Sequence, residues 1–179
     1  MRIIAGALKG RRLKSPSWAG LRPTSDRLRE TLFNVLAPAI EGARVLDGYA
    51  GTGAIGIEAW SRGAAHVTFV ERDRRAQALI AGNLALCGVT DGCAIIRADI
   101  DRAAADLPPA SFDLVLLDPP YDRDAASAIA PVARLLAANG TLVLEHARRR
   151  PAPATVGELT RTREVLSGDS ALALYSCPP

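Results

Sequence analysis

The chain has 179 residues, 49% of them hydrophobic and 23% charged, enough for one domain whose buried core needs neither disulfides nor a structural metal. Cys87, Cys93 and Cys177 are odd in number and scattered, and the two histidines accompany no paired cysteines, so a disulfide framework and a zinc constellation are both excluded. No apolar run reaches the roughly 18 residues of a membrane span, and the opening Met1-Arg2-Ile3-Ile4 lacks a signal-peptide core, so a cytoplasmic protein is expected.

Charge is uneven from the first element. Residues 1–30 carry eight basic side chains against Asp26 and Glu30, while the rest of the chain holds 14 basic and 17 acidic groups. A basic arm on a mildly acidic body fits a polyanionic partner, although a solvated edge gives the same count. Arg2, Lys9, Arg11, Arg12, Arg22, Arg27 and Arg29 are its candidate phosphate contacts. The run Arg148-Arg149-Arg150 reads instead as a solvated face. Within the arm, residues 2–5 are expected as a short strand, with a glycine- and proline-punctuated hairpin region following through residue 23. Helical spacing of Leu28, Leu32, Val35 and Leu36 then predicts a helix capped by Thr24 or Ser25.

From residue 44 onward apolar strands alternate with helices. Strands are expected over 44–47, 66–71, 94–98, 112–118 and 141–146. Helices are expected over 53–62, from the cap at Asp73 to the stop at Gly88, and from about 124 to 138 before Asn139-Gly140. Two last segments, 160–166 and 171–176, are spaced to close a hairpin around Ser167-Gly168-Asp169. This alternation implies an α/β fold with a mostly parallel sheet covered on both faces. The chain divides into a hairpin-and-helix extension over 1–40 and a catalytic sheet over 41–179, within one domain.

The first strand ends in Asp47 and continues as Gly48-Tyr49-Ala50-Gly51-Thr52-Gly53-Ala54-Ile55-Gly56. It contains a literal GxGxxG, a turn without Cβ atoms that lets backbone approach a cofactor; nicotinamide, flavin and S-adenosylmethionine proteins share it. Charge separates these readings. A dinucleotide sets its pyrophosphate at the helix N-terminus, where Asp47 would repel it, whereas S-adenosylmethionine has no phosphate and carries a sulfonium and an ammonium. Asp47, Tyr49, Gly51 and Gly53 are therefore candidate cofactor contacts. Glu71 at the second strand end suits two ribose hydroxyls, and Asp99 with Ile100 at the third suits the adenine edge, although an end-of-strand carboxylate can also be a plain cap. The only lysines, Lys9 and Lys14, leave no Tyr-x-x-x-Lys relay for a nicotinamide oxidoreductase and no GxxxxGK loop. No metal is expected.

The fourth strand runs straight into Asp118-Pro119-Pro120-Tyr121. Two prolines fix φ and lack N–H donors, so this lip presents carbonyl acceptors beside a carboxylate. It suits a planar substrate whose NH₂ group donates to Asp118 and to the Pro119 carbonyl while Tyr121 stacks on the ring.

The lip resembles the Asp/Asn-Pro-Pro-Tyr/Phe motif of S-adenosylmethionine-dependent amino-methyltransferases. Arg22-Pro23-Thr24-Ser25-Asp26-Arg27-Leu28-Arg29-Glu30-Thr31-Leu32-Phe33-Asn34 more narrowly resembles the bacterial 16S ribosomal RNA guanine-N2 methyltransferases of the RsmD type, as do Arg2 to Gly6, Gly10 to Leu13 and Gly51 to Gly56 with the residues that follow. The likeness covers nearly the whole chain. It departs at Gly48, where an apolar residue is usual, and at Trp60, where leucine is usual. The resemblance implies a Rossmann-like, mostly parallel seven-stranded sheet with an antiparallel last strand. It also implies transfer of a methyl group from S-adenosylmethionine, with S-adenosylhomocysteine as product, to a guanine N2 of 16S RNA or an assembling 30S subunit, by a monomer. Thr24 is then expected near the cofactor's methionine end. Related amino-methyltransferases acting on DNA adenine or protein glutamine, and a non-catalytic RNA-binding module, are the alternatives. At 179 residues the chain has no room for the added domains those DNA and protein enzymes carry.

Overall fold

The computed structural model describes residues 1–18, 24–120 and 122–178. Beyond the arm lie α1 (Asp26–Leu36), a 3₁₀ turn (Ala37–Ala39), β1 (Arg44–Asp47), α2 (Ala54–Ser61), β2 (His66–Val70), α3 (Arg74–Cys87) and β3 (Cys93–Ile96). They are followed by α4 (Ile100–Asp106), β4 (Phe112–Leu117), α5 (Ala125–Ile129), a second 3₁₀ segment (Ala130–Leu135), β5 (Leu136–Ala147), β6 (Thr155–Val156), β7 (Leu159–Ser167) and β8 (Ser170–Ser176). The strands form one sheet in the order β3-β2-β1-β4-β5-β8-β7-β6. β1 to β5 run parallel, and β8 lies antiparallel between β5 and β7. The chain leaves β1 toward β2 on one side and returns through β4 on the other, which opens a crevice at the carboxyl edge of those strands.

Alternate residues of each strand feed two cores. Val45, Phe69, Leu114 and Leu116 pack with α1, α2, α3 and the arm on one face. Leu46, Val70, Val115 and Leu117 pack with α4, α5 and the second 3₁₀ segment on the other. Ser25 caps α1 by accepting the Leu28 N–H, and Asp73 and Gly88 bound α3 as the sequence predicts.

The arm is held chiefly by side chains of α2 and α3. Buried Glu58 of α2 accepts the Ile4 N–H at 2.7 Å and the Ala5 N–H at 3.0 Å. The Ser61 hydroxyl accepts the Leu8 N–H and donates to the Ala5 carbonyl, while Asn83 of α3 exchanges two bonds with the Lys14 backbone. Gly6 sits at φ +80° with the site of a Cβ only 1.8 Å from the Ser61 carbonyl oxygen, so no other residue fits this approach. Because Ile4 and Ala5 give their amides to Glu58, the strand expected over residues 2–5 reduces to a single bridge between Arg2 and Arg12.

Two further expectations change. Among the described residues the sheet has eight strands, the extra one being two-residue β6 at its edge. The helix expected to reach residue 138 is α5 followed by 3₁₀ turns, because Pro131 has no amide donor to continue an α-helix; β5 then starts at Leu136, with its register shifting between the pairs Phe112–Leu136 and Leu114–Thr141.

Candidate active site

The glycine loop turns at the carboxyl end of β1. Gly51 donates its N–H to Glu71 Oε2 at 2.9 Å, and Asp73 donates its own to Glu71 Oε1 at 2.8 Å, so the carboxylate at the end of β2 ties this loop to the start of α3. Gly53, at φ +79°, lies against Ile80 of α3, where a Cβ would come within 3.2 Å. It therefore shapes the turn and is absent from the cavity wall, unlike Gly51.

Asp47 also differs from its expected place. It is 2% exposed and stands outside the cavity wall, with its Oδ2 accepting the Gly56 N–H at 2.9 Å behind the loop. Side chains alternate along β1, and Asp47 falls on the same face as Val45, the one that packs against α2. Burial raises its pKa to about 7, with the nearby charges of Asp118 and Glu71 adding to the effect against the Gly56 bond. In the unfolded chain this carboxyl ionises near pH 4. Between about pH 4 and 7 the unfolded state thus sheds a proton that the folded state keeps, and stability falls as pH rises, levelling off above pH 7. Asp47→Asn copies the protonated acid and should gain about 3 kcal/mol on the parent between pH 4.5 and 7.5 in urea unfolding. Parallel pH curves for the two proteins would refute the assignment.

In front of the loop is a cavity of about 780 Å³ whose wall takes Glu71, Asp99 and Ile100 from the segments after β2 and β3, and Asp118, Pro119 and Pro120 from the segment after β4, on the other side of β1 in the sheet. Asp99 faces Arg72 at 3.5 Å. The Tyr49 ring lines the wall under the Arg123 guanidinium, which lies 5.8 Å from its centroid. Burial raises the phenol's pKa to about 12, and its buried oxygen has no hydrogen-bond partner among the described residues. Among the described residues, six carboxylates line this cavity (Glu71, Asp73, Asp99, Asp118, Asp122 and Glu145) against three arginines, Arg72, Arg75 and Arg123.

The arm reaches the lip through Thr24, whose hydroxyl donates to Asp118 Oδ2 at 2.6 Å. Thr24 also lines this cavity. Several wall residues escaped the sequence reading, among them Trp18, 5.0 Å under the Arg75 guanidinium, and Glu145, bonded to Ser170. Trp18 sits in the irregular arm, and Glu145 is one carboxylate within a β5 strand that carried no motif. Tyr121 and Arg22 lie outside the described residues.

Of the candidate phosphate contacts, Arg2, Lys9, Arg11, Arg12 and Arg27 are exposed. Arg29 is a correction. It is fully buried, donates to the Arg2 carbonyl and to Asp26, and faces Glu58 at 3.6 Å, so it braces the arm and cannot reach a phosphate. Among the described residues no group of three or more His, Cys, Asp or Glu side chains is arranged to hold a metal, and no helix is long and apolar enough to cross a membrane.

The family described as "Conserved hypothetical protein 95" matches residues 1–176. YlbH of Bacillus subtilis (strain 168), a candidate rRNA methyltransferase by name, is 38% identical over 180 residues, 98% of each chain. "Ribosomal RNA small subunit methyltransferase D" of Escherichia coli (strain K12) is 36% identical over 181 residues, covering 98% of this chain and 89% of its own. Among solved structures, yhhF of Escherichia coli, a candidate methyltransferase by title, matches with a TM-score of 0.86 and 34% identity over 99% of this chain and 97% of its own.

Proposed function

Because the chain belongs to the Conserved hypothetical protein 95 family, the RsmD-type methyltransferases, we propose that it methylates the exocyclic N2 of a guanine in 16S ribosomal RNA, using S-adenosylmethionine. Its fold is the Rossmann-like one of the class I methyltransferases. The observation that carries the reading is the Asp118-Pro119-Pro120 lip at the edge of a cavity lined, among the described residues, by twice as many carboxylates as arginines. That balance suits a ligand bearing a sulfonium and an ammonium and disfavours a pyrophosphate. Glu71 would hold the ribose, and Asp99 and Ile100 the adenine, with Gly51 giving close backbone approach. When bound, the group supplies an electrophilic methyl on its positive sulfur.

The chain's own residues supply position and polarity. The guanine amine is a poor nucleophile because its lone pair is delocalised into the ring. Accepting its two N–H bonds at Asp118 and the Pro119 carbonyl draws the nitrogen toward tetrahedral geometry and aims the lone pair across the cavity. Thr24 fixes the Asp118 rotamer for this task. Asp118, bonded to the amine, is placed to take the proton it sheds. A base held this way has left its stack, which favours a loop nucleotide over a paired one. The reading makes the protein a cytoplasmic monomer that acts on 16S RNA or the assembling 30S subunit.

Radiolabelled methyl transfer to 16S RNA and to 30S particles from cells lacking this gene, followed by nucleoside analysis, tests the whole reading. N2-methylguanosine is the expected product. Label in another nucleoside or in protein would move the acceptor, and no label despite intact binding of S-adenosylhomocysteine would favour a non-catalytic RNA-binding role. The exposed arm also predicts RNA affinity that falls with salt at a log–log slope of about −4, as expected for roughly five phosphate contacts. A flat response between low and physiological salt would remove the arm from RNA recognition.

A further inference from the structure

The lip holds an amine, but nothing in it distinguishes guanine from a base whose ring nitrogen beside that amine carries no proton. The neighbouring strand supplies the missing group. β4 and β5 are parallel with Leu117 paired to Leu144, so Asp118 and Glu145 are the next residues along two adjoining strands. Both line the main cavity, and both, with Thr24, also line the small recess beside it. Ser170, the first residue of β8, lines the cavity too and donates its hydroxyl to Glu145 Oε1 at 2.8 Å, holding that carboxylate from the far side.

We infer that Glu145 is a specificity-determining residue of the reaction, accepting the N1–H of the guanine whose amine rests on Asp118 and Pro119. The inference depends on the guanine-N2 reading above. Guanine presents N1–H and the N2 amine side by side, so a base seated on the lip directs a third donor toward the adjoining strand. A carboxylate offers only lone pairs. It therefore attracts N1–H and repels the bare N1 of adenine or 2-aminopurine, the latter keeping the same N2 amine. Ser170 acts as a positioning residue by keeping Glu145 in the rotamer that faces the cavity.

The test uses a 16S RNA fragment spanning the methylated position, made with either guanine or 2-aminopurine there. The parent should prefer guanine by about 100-fold in kcat/KM, the effect of one hydrogen bond to a charged acceptor. Glu145→Gln, whose amide can donate to a bare N1, should narrow that preference to about fivefold or less while leaving affinity for S-adenosylhomocysteine unchanged. Ser170→Ala, a milder change, should fall between the two. If both variants keep the parent's preference, Glu145 does not read N1–H, whatever happens to the overall rate. If the parent itself forms no N2-methylguanosine in 16S RNA, the guanine-N2 reading is what fails, and the parent alone reveals it.

Discussion

Asp118→Ala is expected to lower methyl transfer to RNA by about 1,000-fold or more while affinity for S-adenosylhomocysteine stays within about threefold. The reason lies in where this residue stands. Asp118 follows β4 in the cavity wall next to Pro119 and Pro120, with the Thr24 hydroxyl on its Oδ2, and β1 separates it in the sheet from the strands that precede Glu71 and Asp99. On the proposed mechanism, removing its carboxylate deletes an acceptor needed when the amine attacks and leaves Glu71 and Asp99, across β1 in the sheet, in place. Asp118→Asn keeps an acceptor and should lose less. Thermal melting with and without S-adenosylhomocysteine separates the two effects, since a ligand bound only by the folded protein must raise its melting temperature. Near-parental turnover in the alanine variant would withdraw the lip as the reacting site.

Glu58→Ala is the substitution expected to cost the most stability, about 3 to 5 kcal/mol by urea unfolding, the range for breaking a buried ion pair from one side. Glu58 is fully buried and serves four groups: the Ile4 and Ala5 amides, Arg62 at 2.7 Å and Arg29 at 3.6 Å. Its loss strands the wholly buried Arg29 guanidinium, left with Asp26 and a backbone carbonyl. It also frees two amides of the arm, so limited proteolysis should cut first among residues 1–14. A variant as stable as the parent would show that the arm is held by its apolar residues Ile3, Leu8 and Leu13 alone.

Much of the site was legible because its signals are local. A glycine turn after a strand, carboxylates at successive strand ends and a proline lip each depend on neighbours in sequence, and Gly51, Glu71, Asp99, Ile100, Asp118 and Pro119 do share one cavity wall. What sequence could not show was the direction of a side chain relative to a distant one. Asp47 reads as an open carboxylate until the phase of β1 turns it toward Gly56. Arg29 reads as one more charge of a basic run until Glu58, on another helix, meets it in the core. Glu145 gains meaning only when the β4–β5 register sets it beside Asp118. The helix expected to residue 138 failed for a more local reason, since the weight given to Asn139-Gly140 as a stop hid the earlier break at Pro131.

The anchors of the arm lie far downstream: Glu58 is 54 residues beyond Ile4, and Asn83 is 69 beyond Lys14. A growing chain adds that length in roughly 3 to 14 seconds, during which the arm exists without its dock. Such long-range closures come late in folding because their loop entropy is repaid last. The Rossmann-like half must therefore assemble as far as α3 before the basic hairpin acquires a fixed shape, which makes the order of synthesis the reverse of the order of consolidation.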